Sequence, residues 1–170
     1  MGTRQIIMIL KQNLTNHIIV FGFIWSAALM VGLGWYYFRF DTDYIFVMGI
    51  FYFIFILPAI YLHIEYYLEN RGEEIEIRPN AMTIRRKGVE RTFQINELDK
   101  IILYKSANLD KFSIPLSAME YYRYLRIITK GGEQIIVTCL MTRNLEEVIR
   151  LFDGVKFERK KSFFCTLKWK

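Results

Sequence analysis

The chain has 170 residues and a formal net charge of +6; 53% of its residues are hydrophobic and 24% are charged. This balance excludes an intrinsically disordered or collagen-like chain, and the length suits one ordinary domain or a small domain with an anchor. Two cysteines, Cys139 and Cys165, are too few for a disulfide scaffold, and no Cys/His spacing is typical of a zinc site. The excess positive charge lies in residues 155–170, where six of the seven charged residues are basic.

Two long apolar runs dominate the first half of the chain. Residues 18–38 contain no charged side chain, and residues 44–64 are polar only at their tyrosines and at His63. A helix of either length is about 32 Å long, which is close to the thickness of the bilayer hydrocarbon. The link over residues 39–43 is too short for anything but an antiparallel pair. These features predict a transmembrane helical hairpin over residues 17–70, whereas the remaining chain is too short to wrap two such helices in a soluble core.

The distribution of basic residues predicts how the hairpin is oriented. The link holds one arginine, Arg39, beside two aspartates, whereas Arg4 and Lys11 precede the first run and five basic residues within residues 71–87 follow the second. The positive-inside rule then places both termini in the cytoplasm. We therefore expect a multi-pass protein of the inner membrane.

The N-terminal segment, residues 1–16, allows two interpretations. Ile6, Ile7, Leu10 and Leu14 fall on one helical face, which favours a short interfacial helix that leads into the first span. A strand through residues 5–10 that joins the soluble domain is the alternative. Within the second run, Pro58 is expected to kink the helix.

After Gly72 the pattern changes to short alternating runs that are typical of antiparallel strands. A helix with an apolar face follows them over residues 144–152 and ends at Asp153-Gly154. A terminal helix of this kind covers the open face of a sheet in small α+β domains, so residues 71–154 are predicted to fold without the spans. The predicted strands are 74–78, 82–85, 91–95, 100–105, 121–129 and 134–140.

The order of these elements resembles a known family. The resemblance is carried by residues 77–84, 95–101, 125–137 and 144–152. A two-helix hairpin followed by this series resembles the membrane-anchored bacterial proteins with a pleckstrin-homology-like (PH-like) domain. The resemblance implies an α+β membrane protein whose antiparallel barrel or bent seven-stranded sheet is closed by a C-terminal helix. It does not identify a ligand, and residues 106–120 leave the fifth strand unassigned.

The chemistry-bearing residues do not form a catalytic pattern. The two histidines lie at span ends, and the sequence has no G-x-S-x-G, P-loop or H-E-x-x-H motif. We therefore expect no enzyme activity, no cofactor, no metal and no small-molecule substrate.

Basic residues form two candidate contacts with lipid. Arg85, Arg86, Lys87 and Arg91 cluster around one predicted hairpin, where they could bind a phosphate headgroup or simply face an anionic leaflet. The basic, aromatic tail over residues 155–170 is predicted to lie on the membrane surface. A nucleic-acid-binding arm has the same composition but suits a membrane-tethered protein less well. A third interpretation is an added strand over residues 162–167. The candidate contacts in the tail are Lys156, Arg159, Lys160, Lys161, Phe163, Phe164, Lys168 and Trp169.

Together these features predict a non-enzymatic binding module. Its cytoplasmic PH-like domain would present a protein- or lipid-binding surface at the inner membrane. The expected partners are membrane lipids and either another protein or a second copy of the chain, but not nucleic acid. The alternative is an accessory or structural subunit of a larger membrane complex, with the hairpin as its main interface.

Overall fold

The structure is a computed structural model that describes residues 7–37, 42–112 and 117–167. Its first sheet has four strands, and every neighbouring pair in it is antiparallel. In spatial order the strands are β1 (Met8–Lys11), β2 (Glu73–Ile77), β3 (Ala81–Arg86) and β4 (Val89–Gln94).

In the described part of the N-terminal segment, Met8–Lys11 form a strand and not the short interfacial helix that the apolar spacing favoured. Met8 lies opposite Ile77 and Lys11 lies opposite Glu74, which makes β1 an edge strand of the first sheet. Leu10 is buried while Ile9 is exposed, the alternation of a half-buried strand. The fifth strand, which the sequence left unassigned at residues 106–120, is absent from the described part of that region. The described part of that region contains α4 (Ala107–Phe112) and a 3₁₀ turn (Ala118–Tyr121) instead.

Two helical segments lie between β1 and β2. The first is α1 (Leu14–Tyr37). The second runs without a break as α2 (Thr42–Phe51), a π-helical turn (Tyr52–Ile56) and α3 (Leu57–Glu69). Pro58 is the second residue after the π turn and lies in the first turn of α3, where a missing N–H is tolerated. Within the described residues, α1 is the one helix whose length and composition suffice to cross a membrane, because the π turn divides the second segment.

The second sheet has the spatial order β7-β6-β5-β8. A 3₁₀ turn (Ile95–Glu97) connects the two sheets, and α5 (Leu145–Arg150) corresponds to the predicted terminal helix. β8 lies in the tail and pairs parallel with β5. The tail therefore does contain a strand, but this strand comes before residues 162–167, which the sequence analysis named as a possible strand. The described strands form two separate sheets, not a closed barrel. The strands of the second sheet are β5 (Leu98–Lys105), β6 (Tyr124–Thr129), β7 (Gln134–Thr138) and β8 (Lys156–Lys161).

Two hydrophobic cores share the second sheet. The sandwich core fills the space between the sheets and under α5, and burying each large aliphatic side chain there contributes about 1.5–3 kcal/mol. Along β6 the alternate side chains Leu125 and Ile127 enter this core, while Tyr124 and Arg126 are directed to the opposite face. The sandwich core consists of Leu10, Ile75, Ile77, Met82, Ile84, Leu98, Ile101, Leu103, Leu125, Ile127, Ile135, Val137, Met141, Leu145, Val148 and Phe152.

The junction core lies on that opposite face. It brings together the ends of the helices nearest the sheets, the 3₁₀ turn at Ala118–Tyr121, and residues 162–167, here called the C-terminal segment. Its members come from five distant parts of the chain, so it joins helices and sheets into one folded unit. The junction core consists of Val20, Ile24, Ile56, Ala59, Leu62, Tyr66, Ala118, Met119, Tyr122, Tyr124, Cys139, Leu140, Cys165 and Leu167.

Candidate functional site at the helix–domain junction

Asn70 connects the end of the second helical segment to the edge of the second sheet. Its side chain is fully buried, donates to the Ile136 carbonyl at 2.8 Å and accepts from the Thr138 N–H at 3.2 Å. These bonds satisfy the free edge of β7, which would otherwise expose unpaired backbone groups. Asn70 Nδ2 also donates to Glu73 Oε2 at 2.6 Å. Burial raises the pKa of Glu73, although this hydrogen bond opposes the shift.

The two histidines, which the sequence places at the span ends, meet in space. His17 Nδ1 lies 3.1 Å from His63 Nε2, and His63 Nδ1 lies 3.1 Å from the hydroxyl of Tyr122. The two histidines therefore contact one another, and His63 also contacts Tyr122. This chain of contacts holds the two helices in register and ties them to the segment just before β6.

The C-terminal segment docks on the second helical segment. The Tyr66 hydroxyl donates to the Cys165 carbonyl at 2.6 Å, and Glu65 Oε2 accepts from the Leu167 N–H at 3.2 Å. Burial raises the pKa of Cys165 to about 12 and that of Cys139 to about 11, so both thiols stay neutral and are poor nucleophiles. Within the described ranges, no group of three or more His, Cys, Asp or Glu residues could hold a metal ion.

A cavity of about 430 Å³ opens beside this docked segment and is here called the junction cavity. Two charged side chains line it although each is more than nine-tenths buried: Glu65 is 9% exposed and Arg126 is 7% exposed. Glu65 Oε1 and Arg126 Nε have no hydrogen-bond partner. The Arg126 guanidinium makes two long hydrogen bonds, at 3.4 Å to the Tyr124 hydroxyl and 3.5 Å to the Leu167 carbonyl. It also lies over the rings of Tyr104 and Tyr124, at 5.2 and 5.8 Å from their centroids. The cavity lining is Tyr61, Ile64, Glu65, Leu68, Glu69, Arg126, Gln134, Ile136 and Leu167.

Comparison with known proteins identifies the family. A family model described as PH domain matches residues 2–147, which is most of the chain. The chain belongs to the PH domain family. No curated protein matches the sequence. The crystal structure of the C-terminal domain of an unknown protein from Leishmania infantum shares 12% identity, covers 47% of this chain and 67% of that chain, and has a TM-score of 0.31, too low to carry an argument.

The extent of the family match agrees with the strand order of this PH domain. The matched residues begin before β1 and include both helical segments. Because β1 and β2 are antiparallel neighbours, the helices occupy the connection between the first two strands. The match thus begins before the helices, whereas the sequence predicted a PH-like domain over residues 71–154. β1, β8 and the C-terminal segment lie outside those predicted limits.

The predicted basic hairpin of the PH domain is partly neutralised by carboxylates. Arg85 forms ion pairs with Glu74 at 3.1 Å and with Glu90 at 3.0 Å, and Arg91 pairs with Glu133 at 2.8 Å. An anion at these two arginines would have to compete with existing partners. The other two predicted contacts, Arg86 and Lys87, line a separate cavity of about 330 Å³ whose wall includes Glu69.

The predicted tail contacts divide between β8 and the C-terminal segment. In β8, Arg159 and Lys161 pair with Asp110 of α4, at 3.8 and 3.0 Å, and the contact with Lys161 lowers the pKa of Asp110. Lys156 pairs with Glu158, and Lys160 stands near the face of the Tyr104 ring. Phe163 and Phe164 are exposed and touch one another edge to face. The remaining predicted contacts, Lys168 and Trp169, lie outside the described residues.

A second, wider cavity lies at the end of the PH domain that is opposite the helices. Its volume is about 1020 Å³, and the Pro79-Asn80 turn forms part of its wall. Basic side chains from three elements line it, namely Lys130, Arg150 and Lys156. The sequence patterns did not predict either this cavity or the junction cavity, because the residues of each come from separate elements.

Proposed function

We propose that this chain is a non-enzymatic binding module anchored in the membrane by a helical hairpin. The observation that carries the proposal is the exposure of large apolar side chains along both helical segments. Trp25, Leu29 and Met30 are 67%, 63% and 69% exposed, and Phe46 is 69% exposed. A soluble monomer rarely exposes so continuous an apolar surface, whereas lipid tails would cover it without cost.

The lengths of the two segments support a complete crossing. His17 lies 20 residues before Tyr37, and Leu62 lies 20 residues after Thr42. Each stretch is therefore about 30 Å long, which is the thickness of the hydrocarbon of a bilayer. His17 and the neighbour of Leu62, His63, are hydrogen-bonded to one another. The two stretches would therefore end at the same depth. The junction core, which includes residues from the inner end of both stretches, would extend from the membrane surface into the inner leaflet.

The distribution of charge supports a proposal for the orientation and location. Basic residues are concentrated before the first span and after the second, so we propose that the PH domain lies on the cytoplasmic side of the inner membrane. PH domains suggest a binding role, and the neutral thiols and mutually bonded histidines favour binding over catalysis. The wide cavity opposite the helices would face the cytoplasm and be open to a protein partner.

Membrane extraction and topology reporters test this proposal on the full chain. We expect the protein to remain in the membrane pellet after alkaline carbonate treatment. A C-terminal fusion to a phosphatase that is active only in the periplasm should stay silent, whereas a fluorescent protein fused there should mature. Release by carbonate would exclude the anchor, and phosphatase activity would exclude the orientation.

The same exposed apolar faces could instead contact helices of other subunits, as in the accessory-subunit alternative. Purification in a mild detergent distinguishes the two functions. Stoichiometric membrane proteins that co-purify with the chain, and that are lost when Trp25, Leu29 and Met30 are changed to alanine, would favour the accessory subunit. A chain that purifies alone favours the binding module.

A further inference from the structure

We propose that the junction cavity binds a zwitterionic phospholipid headgroup that carries a phosphate and a primary ammonium, as in phosphatidylethanolamine. Arg126 would bind the phosphate and Glu65 the ammonium. The inference rests on the proposed membrane anchor, because it takes the inner leaflet as the source of the lipid.

The first argument is the unmet bonding capacity of two buried charges. Glu65 Oε2 accepts one backbone N–H, but Oε1 has no partner. Arg126 has five N–H donors, of which Nε has no partner and Nη2 makes only contacts of 3.4 and 3.5 Å. Hydrogen-bonding capacity that stays unfilled on a buried charged group is destabilising, so a ligand that fills it is favoured.

The second argument is the placement of opposite charges in one cavity. Among the described residues, no ion pair joins Glu65 to Arg126, although both line the same space. A simple anion would bind Arg126 but would face the carboxylates of Glu65 and Glu69, and a simple cation would face the arginine. A ligand with one charge of each sign satisfies both ends. The volume of about 430 Å³ lies within the usual range of small-molecule sites.

The third argument is access from the bilayer. Glu65 lies three residues beyond Leu62, or about 4.5 Å further along the helix, which places it at the proposed headgroup level. An apolar stripe approaches the cavity on the same segment, with Leu57, Tyr61, Ile64 and Leu68 at helical spacings of four, three and four. These four side chains are 44%, 50%, 52% and 55% exposed. Acyl chains could therefore lie along the stripe while the headgroup enters the cavity.

Native mass spectrometry of the full chain in detergent tests the inference. The chain is titrated separately with phosphatidylethanolamine, phosphatidylglycerol and phosphatidylcholine that carry identical acyl chains. We expect phosphatidylethanolamine to bind about tenfold more tightly than either other lipid, because one lacks the ammonium and the other lacks its N–H donors. Equal binding of all three would overturn the inference. Water-soluble glycerophosphoethanolamine that bound as tightly as the lipid would overturn the assignment to a membrane source.

Three variants assign the binding to the cavity. Glu65→Gln keeps an oxygen that accepts the Leu167 N–H, and it should remove the preference for phosphatidylethanolamine over phosphatidylglycerol. Arg126→Gln should weaken both lipids about tenfold, and Arg126→Lys, which keeps the charge, should restore part of this loss. The matched control, Arg78→Gln, removes an exposed arginine that lies outside the cavity and outside the candidate lipid contacts, and it should bind lipid as the unchanged chain does.

The outcomes separate this inference from the proposed function. An unchanged lipid preference in Glu65→Gln would overturn the role of the cavity, whether or not the arginine variants fold. A chain that resists carbonate extraction but shows no headgroup preference would refute this inference alone. A chain released by carbonate would refute the membrane anchor first.

Discussion

The sandwich core and the junction core occupy opposite faces of the same sheet, yet they are held together differently. The sandwich core is made of aliphatic side chains, methionines and Phe152, so its stability depends on buried apolar area. The junction core contains three fully or almost fully buried tyrosines, Tyr66, Tyr122 and Tyr124, each with a hydrogen-bonded hydroxyl. Because hydrogen bonds are directional, they favour one arrangement of the helices against the sheet. The comparison indicates that the sandwich core stabilises the PH domain, whereas the junction core fixes its position on the helices.

The largest expected effect concerns which strands the two-sheet sandwich needs in order to fold. A fragment of residues 71–154 lacks β1 and β8, so it loses Leu10 from the core and leaves two more strand edges unpaired. Contrary to the expectation from the sequence, we predict that this fragment shows no cooperative thermal unfolding. The measurement is circular dichroism during heating.

The control for this fragment restores the missing strands without the helices. Residues 7–12 are joined by a short flexible linker to residues 71–167, which the antiparallel register of Lys11 and Glu74 permits. This version should unfold cooperatively. If the 71–154 fragment unfolds just as cooperatively, the added strands are not required for the sandwich.

Within the full chain, a cavity in the sandwich core should be the most damaging single change. Leu125 is fully buried, and Leu125→Ala should lower the free energy of unfolding by about 2–5 kcal/mol. The control Val89→Ala, at an exposed position of β4, should change it by less than about 0.5 kcal/mol. Chemical denaturation in detergent measures both, and similar losses for the two variants would contradict the assignment of the core.

A smaller and more local effect is expected in the junction core. Tyr66→Phe removes the hydrogen bond to the Cys165 carbonyl, which is worth about 1 kcal/mol, so the C-terminal segment should open about fivefold more often. The rate of Cys165 labelling by a maleimide at pH 8 reports this opening, because burial raises the pKa of the thiol to about 12 and keeps it unreactive while docked. Cys139, buried elsewhere in the same core, is the internal control. Rapid labelling of Cys165 in the unchanged chain would show that the segment is not docked.

The smallest expected effect is a pH dependence at the boundary between helix and sheet. Burial raises the pKa of Glu73 above its ordinary value of 4.5, so between the two values the folded chain binds more protons than the unfolded chain. Stability is therefore lost as the pH rises through this interval. Glu73→Gln keeps an acceptor for Asn70 and should be slightly more stable than the unchanged chain at pH 7. This advantage should disappear below about pH 4.5.

The neighbouring position provides the control for this pH dependence. Glu74→Gln on the same strand loses an ion pair with Arg85 and should be slightly less stable at pH 7. Thermal unfolding between pH 4 and pH 8 distinguishes the two variants. A Glu73→Gln variant that loses stability at pH 7 would contradict the burial of that carboxylate.

The two cores also differ in how far the sequence predicts them. The alternation along β2 to β7 and the helical spacing in α5 are local patterns, so six strands, the terminal helix and the family resemblance could be recognised directly. β1 was ambiguous because a four-residue strand and a helical turn share the same few apolar positions, and only its register with β2 decides between them. β8 was missed because its charged side chains resemble a solvated tail, although its backbone pairs with β5.

The candidate site was predicted less well for a physical reason. Glu65, Arg126 and Leu167 lie far apart in sequence and on three different elements, so no spacing pattern relates them. Arg126 is a charged residue inside an alternating apolar strand, a signal that could have indicated a buried charge. The basic clusters that the sequence emphasised remain candidate lipid contacts, with Arg85, Arg91, Arg159 and Lys161 already engaged by carboxylates.

Depth-dependent fluorescence quenching tests the membrane anchor most directly. Two versions of the full chain each keep one tryptophan of α1, either Trp25 or Trp35, with the others changed to phenylalanine. They are placed in vesicles whose lipids carry bromine at a shallow or a deep acyl position. Trp25 lies 12 residues, or about 18 Å, from Tyr37 and thus near the proposed bilayer centre, so deep bromines should quench it most. Trp35 should respond most to shallow bromines. Trp25 that is quenched by aqueous iodide and not by deep bromines would contradict the transmembrane hairpin.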